Sequence, residues 1–441
     1  MSDSQSPPTK MAHLLQSERW WLIAFFFFIP LKLSFAYGGL FPALALWYGK
    51  QAFRQFRNSN YPQIAYPLYY FIALATASCF FAFAPLHSLV QTGKEFFLIA
   101  VIPLVYQETK RDSLPLFLAA LLAGQTIAAL ATVLEMNFPL LSSRFFNGAV
   151  TESGQLALTL PLALGALFFV RDRMTVYTPY VFGVIVSLLL GSGFLFPSHP
   201  LHIFSVCLGF AALGYFAFIA YTHAKHNRNF SAHFTLSTIV VPLLTVALLY
   251  NLKRGPWLGV SCALVVFLFL HARKILIPTI GVILLTVLFS EPIQQRILAS
   301  LDHFFIPGGR SEIWSIGWDL ALRFPLGIGF DNSSVLNSFS TTVPQELKHF
   351  HSNPLNILVE TGWAGIALYL YWVYRCLVAG FGQKQKDPRL LSLTTALACG
   401  FLSWQISGLV EYNFGDSEVL LLALSTVGLL GALVDNKKKL S

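Results

Sequence analysis

Charge is scarce in this 441-residue chain: 11% of the residues are Asp, Glu, Lys or Arg, against 55% that are hydrophobic. Apolar runs of roughly 15 to 23 residues recur between residues 20 and 434, which excludes a soluble globular protein and indicates one polytopic membrane domain, 1–441. Cysteine is scarce too. The five, Cys79, Cys207, Cys262, Cys376 and Cys399, stand apart in apolar segments, so no disulfide or thiolate metal framework is implied and small core residues are expected. No Gly-rich phosphate loop followed by Lys-Ser or Lys-Thr occurs, which leaves nucleotide hydrolysis without support. Internal repeats are not visible, an argument against a transporter. A cleavable leader is not expected either, because the first apolar run holds Lys32, lacks a small-x-small site and is followed directly by another run.

What charge there is has an uneven distribution. The net +9 would suggest nucleic acid in a soluble protein, but here it is explained by orientation, and no nucleic-acid partner is expected. About fourteen apolar runs can be drawn, an all-α bundle of roughly 12–14 spans. Most of the Lys and Arg fall in alternate connections, such as Lys110 with Arg111, Arg171 with Arg173, Arg273 with Lys274, and the terminal Lys437 to Lys439. The positive-inside bias then places both termini in the cytoplasm and the longest loop outside. The first two runs are short and could form a re-entrant hairpin. Arg144, Lys253, Arg254, Arg296, Arg310, Arg323 and Lys348 all break the rule by falling on the outer side. Each alone reads as a solvated loop charge; together, facing one compartment beside a histidine pair, they suggest an anionic ligand. Lys94 and Glu95 lie inside an apolar run, where charge is costly and functional by default; as sequence neighbours they do not face each other, and pairing with other helices is an equal alternative.

The longest polar interruption, 291–351, is expected to be a loop on the outer face, which the resemblance given below makes periplasmic, carrying short amphipathic helices. It ends in His349-Phe-His351-Ser352-Asn353-Pro354, and a long loop ending in titratable groups points to chemistry more than packing. Asn353-Pro354 reads as a helix start, with Asn as N-cap and Pro first in the helix. His351 would sit ahead of that positive helix end, which disfavours imidazolium and leaves a ring able to accept a proton. Lys253-Arg254-Gly255-Pro256 repeats the arrangement, and a guanidinium beside free helix N–H groups suits a phosphate. The alternative for Arg254, a snorkelling residue beside the anchoring Trp257, remains open. Gly308-Gly309-Arg310-Ser311-Glu312 opens an amphipathic helix that should end at Pro325. His349 and His351 make a weak metal pair at i,i+2 spacing with no cysteine near, so no metal or other cofactor is expected.

His351-Ser352, nine residues, then Gly362-x-x-Gly365 resembles the signature of bacterial O-antigen ligases. Arg254-x-x-x-Leu258 is similar to a second element of that family, and 309–365 resembles the Wzy-C-type region shared with O-antigen polymerases and protein O-oligosaccharyltransferases. The resemblance implies a membrane glycosyltransferase of the GT-C type with a periplasmic active site. Such an enzyme would move a glycan from undecaprenyl pyrophosphate to an acceptor hydroxyl, with a lipid A-core sugar the favoured acceptor, by a metal-independent inverting mechanism. The chain has no Asp-x-Asp, in keeping with that. In this reading His351 is the catalytic base and Arg254 the catalytic cation, while Arg310, Arg144, Lys253, His349 and Asn353 bind substrate. Polymerase or protein glycosylation is the alternative, and a lipid or glycan transporter a remoter one.

Overall fold

The computed structural model describes residues 18–53, 61–137, 146–170, 178–191, 202–224, 230–340, 342–344, 347–383 and 387–435, and every regular element among them is helical. Arg144, Arg171, Arg173 and Lys437 to Lys439 lie outside the described residues. Eight described helices are long and apolar enough to cross a membrane, or nine if the bent pair Arg273–Phe289 and Glu291–Ser300 counts as one. The protein is therefore an all-α polytopic membrane protein, with fewer full-length spans than its apolar runs suggest.

The differences have local causes. The first two runs become Glu18–Phe28, of 11 residues, and Leu33–Phe53. Their break falls around Pro30, which has no N–H to continue a helix. Shorter apolar helices, Thr178–Gly191 and Leu236–Tyr250, stand where further full-length spans were expected. Cys79, Cys376 and Cys399 are buried as expected, but Cys207 is exposed, because its helix His202–Ala224 has Thr178–Gly191 as its main neighbour.

Seven helices build the region of interest: α1 (Ala149–Val170), α2 (Arg254–His271), α3 (Glu291–Phe305), α4 (Arg310–Arg323), α5 (Asn353–Phe381), α6 (Pro388–Ser407) and α7 (Ser417–Asp435). The chain turns by 83° between Arg273–Phe289 and α3, so the expected loop opens with a helix. That helix has Ser290 as its N-cap and Pro292 in its first turn. As the sequence predicts, α4 starts after Gly309 and ends before Pro325.

Where α2 crosses α6 there is no room for side chains. A Cβ on Gly259 would stand 2.2 Å from the Ser403 carbonyl oxygen, and one on Gly255 would stand 3.1 Å from that of Ser407. In a bilayer, where apolar burial from water no longer drives association, such backbone contact is a main source of helix–helix affinity. It also sets the start of α2, and with it Arg254, against the end of α6. Trp372 meets Phe401 and Trp404 edge-to-face between α5 and α6, with Trp372 and Phe401 centroids 5.2 Å apart. Phe414 joins that cluster from the α6–α7 loop, and so anchors a polar loop to an apolar core.

Candidate functional site

A cavity of about 300 Å³ opens where α2 begins and α6 ends. Lys253, Arg254, Arg296 and Arg310 reach it from three helices and a turn, and His349 and His351 complete the wall. Four of the seven cations that break the charge alternation of the connections thus converge on one space. Glu411 and Asp416 are its two carboxylates, and both already have partners. Glu411 Oε1 lies 3.5 Å from an Arg310 amino nitrogen. Asp416 accepts from the Thr151 hydroxyl at 2.6 Å and from the Val419 N–H, so it caps α7. Cations outnumber acids, and no described carboxylate is within ion-pair distance of Arg254. The excess favours an anion in the cavity.

Arg254 is presented by a held turn. Lys253 is the N-cap of α2 and Arg254 its first residue. Just before them Leu252 has φ +49°, and the Arg296 guanidinium donates to its carbonyl at 3.1 Å. The Asn251 amide donates to the buried Glu152 carboxylate at 3.0 Å. Trp257 donates its indole N–H to Leu248 O at 2.8 Å, so its polar edge is spent inside the protein. Leu258, the apolar end of the Arg-x-x-x-Leu element, is 52% exposed and lines nothing in the cavity.

The histidine turn is more constrained. His351 has φ +51°, the left-handed region that costs a side-chain-bearing residue roughly 1–2 kcal/mol. Its N–H donates to His349 Nδ1 at 3.3 Å, and the two rings meet edge-to-face at 4.4 Å. The Tyr412 ring covers His349 at 5.2 Å. Burial pushes the His351 imidazole down to about 4, with the neighbouring His349 and Arg310 adding to the shift. His349 is lowered by burial and then by Arg310. Both rings are therefore neutral at pH 7, and burial, more than the helix end, is the cause.

Ser352, not Asn353, is the N-cap of α5, with Pro354 in the first turn. Asn353 is wholly buried and does not line the cavity. Its Oδ1 accepts from the N–H groups of Asn413 and Phe414, both at 3.0 Å, and its Nδ2 donates to Asn413 Oδ1 at 2.6 Å. It clamps the α6–α7 loop that carries Glu411 and Tyr412. Glu312 plays a comparable part for Arg310. Its carboxylate accepts from the Gly308 N–H and from the Ser340 and Thr342 hydroxyls, which hold it below the ordinary carboxylate range.

The glycines of the signature also have a physical reason. At Gly362 the helix breaks, with φ +71° and ψ −172°. The carbonyls of Val359 and Glu360 then accept from Ile328 and Gly329 at 3.0 Å, and Trp363 N–H donates to Pro325 O. The 325–329 turn is sewn into the break. A Cβ on Gly362 would stand 2.3 Å from Pro325 O. Gly362→Ala is therefore expected to cost about 3 kcal/mol from a left-handed backbone and a main-chain clash. Thermal unfolding in nanodiscs checks this; an unchanged midpoint would reject it. Close by, buried Glu360 accepts from Ser333 Oγ at 2.6 Å and Asn356 Nδ2 at 2.9 Å, and Asn356 Oδ1 accepts from the Phe350 N–H. This chain ties the helix break to the histidine turn.

Of the residues singled out from the sequence, the structure brings together Lys253, Arg254, Arg310, His349 and His351 and sets Asn353 apart as a clamp; Arg144 is outside the described residues. Sequence reading missed Arg296 as an individual ligand, and Glu411 and Tyr412 entirely. The signal for the latter two was slight: a short polar stretch, Glu411-Tyr-Asn-Phe-Gly415, between two apolar runs.

Fold and site together define a polytopic helical membrane protein with a cationic cavity at the ends of its helices. Over residues 239–370 the chain matches the family model described as O-antigen ligase. The match holds Arg254, Arg296, Arg310 and both histidines. A Rickettsia prowazekii (strain Madrid E) protein, named as an inferred polysaccharide ligase, is 24% identical over 338 residues, covering 72% of this chain and 78% of its own length.

Proposed function

We propose that the protein transfers a glycan from undecaprenyl pyrophosphate to a hydroxyl of a lipid A-core sugar, on the periplasmic face of a bacterial inner membrane, as a metal-independent inverting glycosyltransferase of the GT-C type. The observation that carries this reading is the placement of a neutral, half-buried histidine and four cations around one cavity. His351 takes the proton of the attacking hydroxyl as the oxygen bonds to the anomeric carbon. The bond from that carbon to the pyrophosphate oxygen breaks on the opposite face, and its electron pair leaves with the pyrophosphate. Arg254, Arg310 and Lys253 stabilise the charge that develops there, while Arg296 holds the turn between them. His349 keeps the His351 backbone in place. Outer-face placement rests on the charge bias of the connections.

Surface glycolipids of a deletion strain test the reading. Loss of long glycan from lipid A-core, with lipid-linked polymer accumulating, is the expected result. A cap of one repeat unit would identify a polymerase instead, and an unchanged profile would overturn glycan transfer to this acceptor.

A further inference from the structure

A second and larger cavity, of about 690 Å³, lies beside the first. Tyr412 lines both, so the two cavities meet at the residue whose ring covers His349. On the far side stand Tyr37, Phe41, Phe97, Lys94 and Asp331. Tyr37 and Phe41 are stacked at 4.9 Å with planes 7° apart, and Phe97 meets Phe41 at 5.4 Å. Together they make an apolar wall opposite polar groups. Lys94 is exposed within an apolar helix, Pro85–Ile99, and no described carboxylate pairs with it. A charge in such a segment is costly unless a partner compensates it, which makes a ligand its functional reading.

The walls are rigid and share the frame of the histidine turn. Asp331, at φ +58°, lies 3.0 Å from His87 Nε2. Ser88, on the Lys94 helix, donates to Phe330 O at 2.8 Å and accepts from Asn332 Nδ2 at 2.5 Å. Next to them, Ile328 and Gly329 are the residues stitched into the Gly362 break. A lipid tail would need an apolar lining. Here Lys94, Gln91, Asp331, Ser417 and Tyr412 supply donors and acceptors beside an aromatic face, the mixture that suits a sugar ring, with its hydroxyls and its C–H face.

We propose that this second cavity binds the acceptor saccharide, with Lys94 engaging an anionic substituent, phosphate or carboxylate, and Tyr37 and Phe41 covering a ring face. The proposal rests on the glycan-transfer reading above and deepens it. Inversion requires the acceptor hydroxyl to reach the anomeric carbon from the side away from the leaving pyrophosphate. With the cations gathered in the first cavity, a space across Tyr412 from them is where that acceptor would enter.

The test is binding, not turnover. Full-length protein in nanodiscs carrying His351→Ala, with and without Lys94→Ala, is titrated with lipid A-core glycolipid from the deletion strain. The glycolipid is used intact, after dephosphorylation with aqueous hydrogen fluoride, or after methyl esterification of its carboxylates. Lys94→Ala is expected to raise the Kd of intact glycolipid about tenfold, the loss of one charge-assisted contact, and Lys94→Arg to restore most of the affinity. Whichever treatment removes the difference in affinity between the proteins with and without Lys94→Ala names the anion. A change below twofold on intact glycolipid, or the same loss with both treated forms, overturns the site, as does undiminished binding of an acyl-chain lipid that lacks sugars in competition with the glycolipid. If the wild-type enzyme moved no glycan from its donor while Lys94-dependent binding stood, the transfer reading would fall and the saccharide site would remain.

Discussion

Replacing His351 by alanine is expected to lower transfer per folded enzyme by about 10³-fold, the scale of a lost general base, with donor binding largely retained. Because φ at this position is +51°, alanine also adds backbone strain, and His351→Asn is the companion variant. Asparagine tolerates the left-handed region but cannot act as a base near pH 7, so the two variants should fail alike. His349→Ala should be milder: it removes the acceptor of the His351 N–H and a packed ring, not the proton acceptor itself. The pH dependence follows from the burial of the ring. A base must be neutral, and His351 is held down to about 4, so kcat/KM, which reports the free enzyme, should stay flat from neutral pH and fall only as pH drops through about 4. A break near the ordinary histidine value, or near-normal turnover in His351→Asn, would remove His351 from the role of base.

The second large effect is expected at Arg254. Arg254→Ala should lower transfer by about 10²–10³-fold, the usual consequence of removing one donor aimed at developing charge. Arg254→Lys keeps the charge but loses the planar fork that can grip two phosphate oxygens at once, and a loss of about tenfold is expected. The competing account, a snorkelling side chain at the membrane surface, predicts free exchange with Lys and losses that follow protein abundance. The geometry bears on that choice. Arg254 lines the cavity beside Lys253, Arg296 and Arg310, and crowding like charges is unfavourable unless an anion joins them. Wild-type rates per folded protein in Arg254→Lys would support the snorkelling account. A wild-type rate abolished by EDTA would instead bring in a metal.

Local chemistry made a good part of this legible in the sequence. Apolar runs and proline placement gave the helical class, a start of α2 at Pro256 that falls two residues inside the observed one, and the extent of α4 between Gly309 and Pro325. Periodicity could not show that the run before residue 290 turns by 83° into another helix, because both arms satisfy the same composition. Nor could it assign Asn353, whose type suits an N-cap. The clamp it makes instead depends on the α6–α7 loop lying alongside, a contact across some sixty residues of chain. Gly362 and Gly365 were visible as part of a spacing, but the reason for Gly362 is Pro325 O, 2.3 Å from where a Cβ would be.

What the sequence by itself determined is therefore what depends on residue type and near neighbours: a polytopic helical protein, a histidine signature before a membrane helix, and unusual cations gathered on one side of the chain's alternation. What only the tertiary structure decided is which of those cations meet. Lys253, Arg254, Arg296 and Arg310 share a cavity with the histidines, because Gly255 and Gly259 let α2 touch α6 backbone to backbone. Arg323 and Lys348, alike in sequence terms, do not line it. Charge is written in the chain, but convergence is set by how closely helices can approach, and that is a property of packed surfaces far apart in sequence.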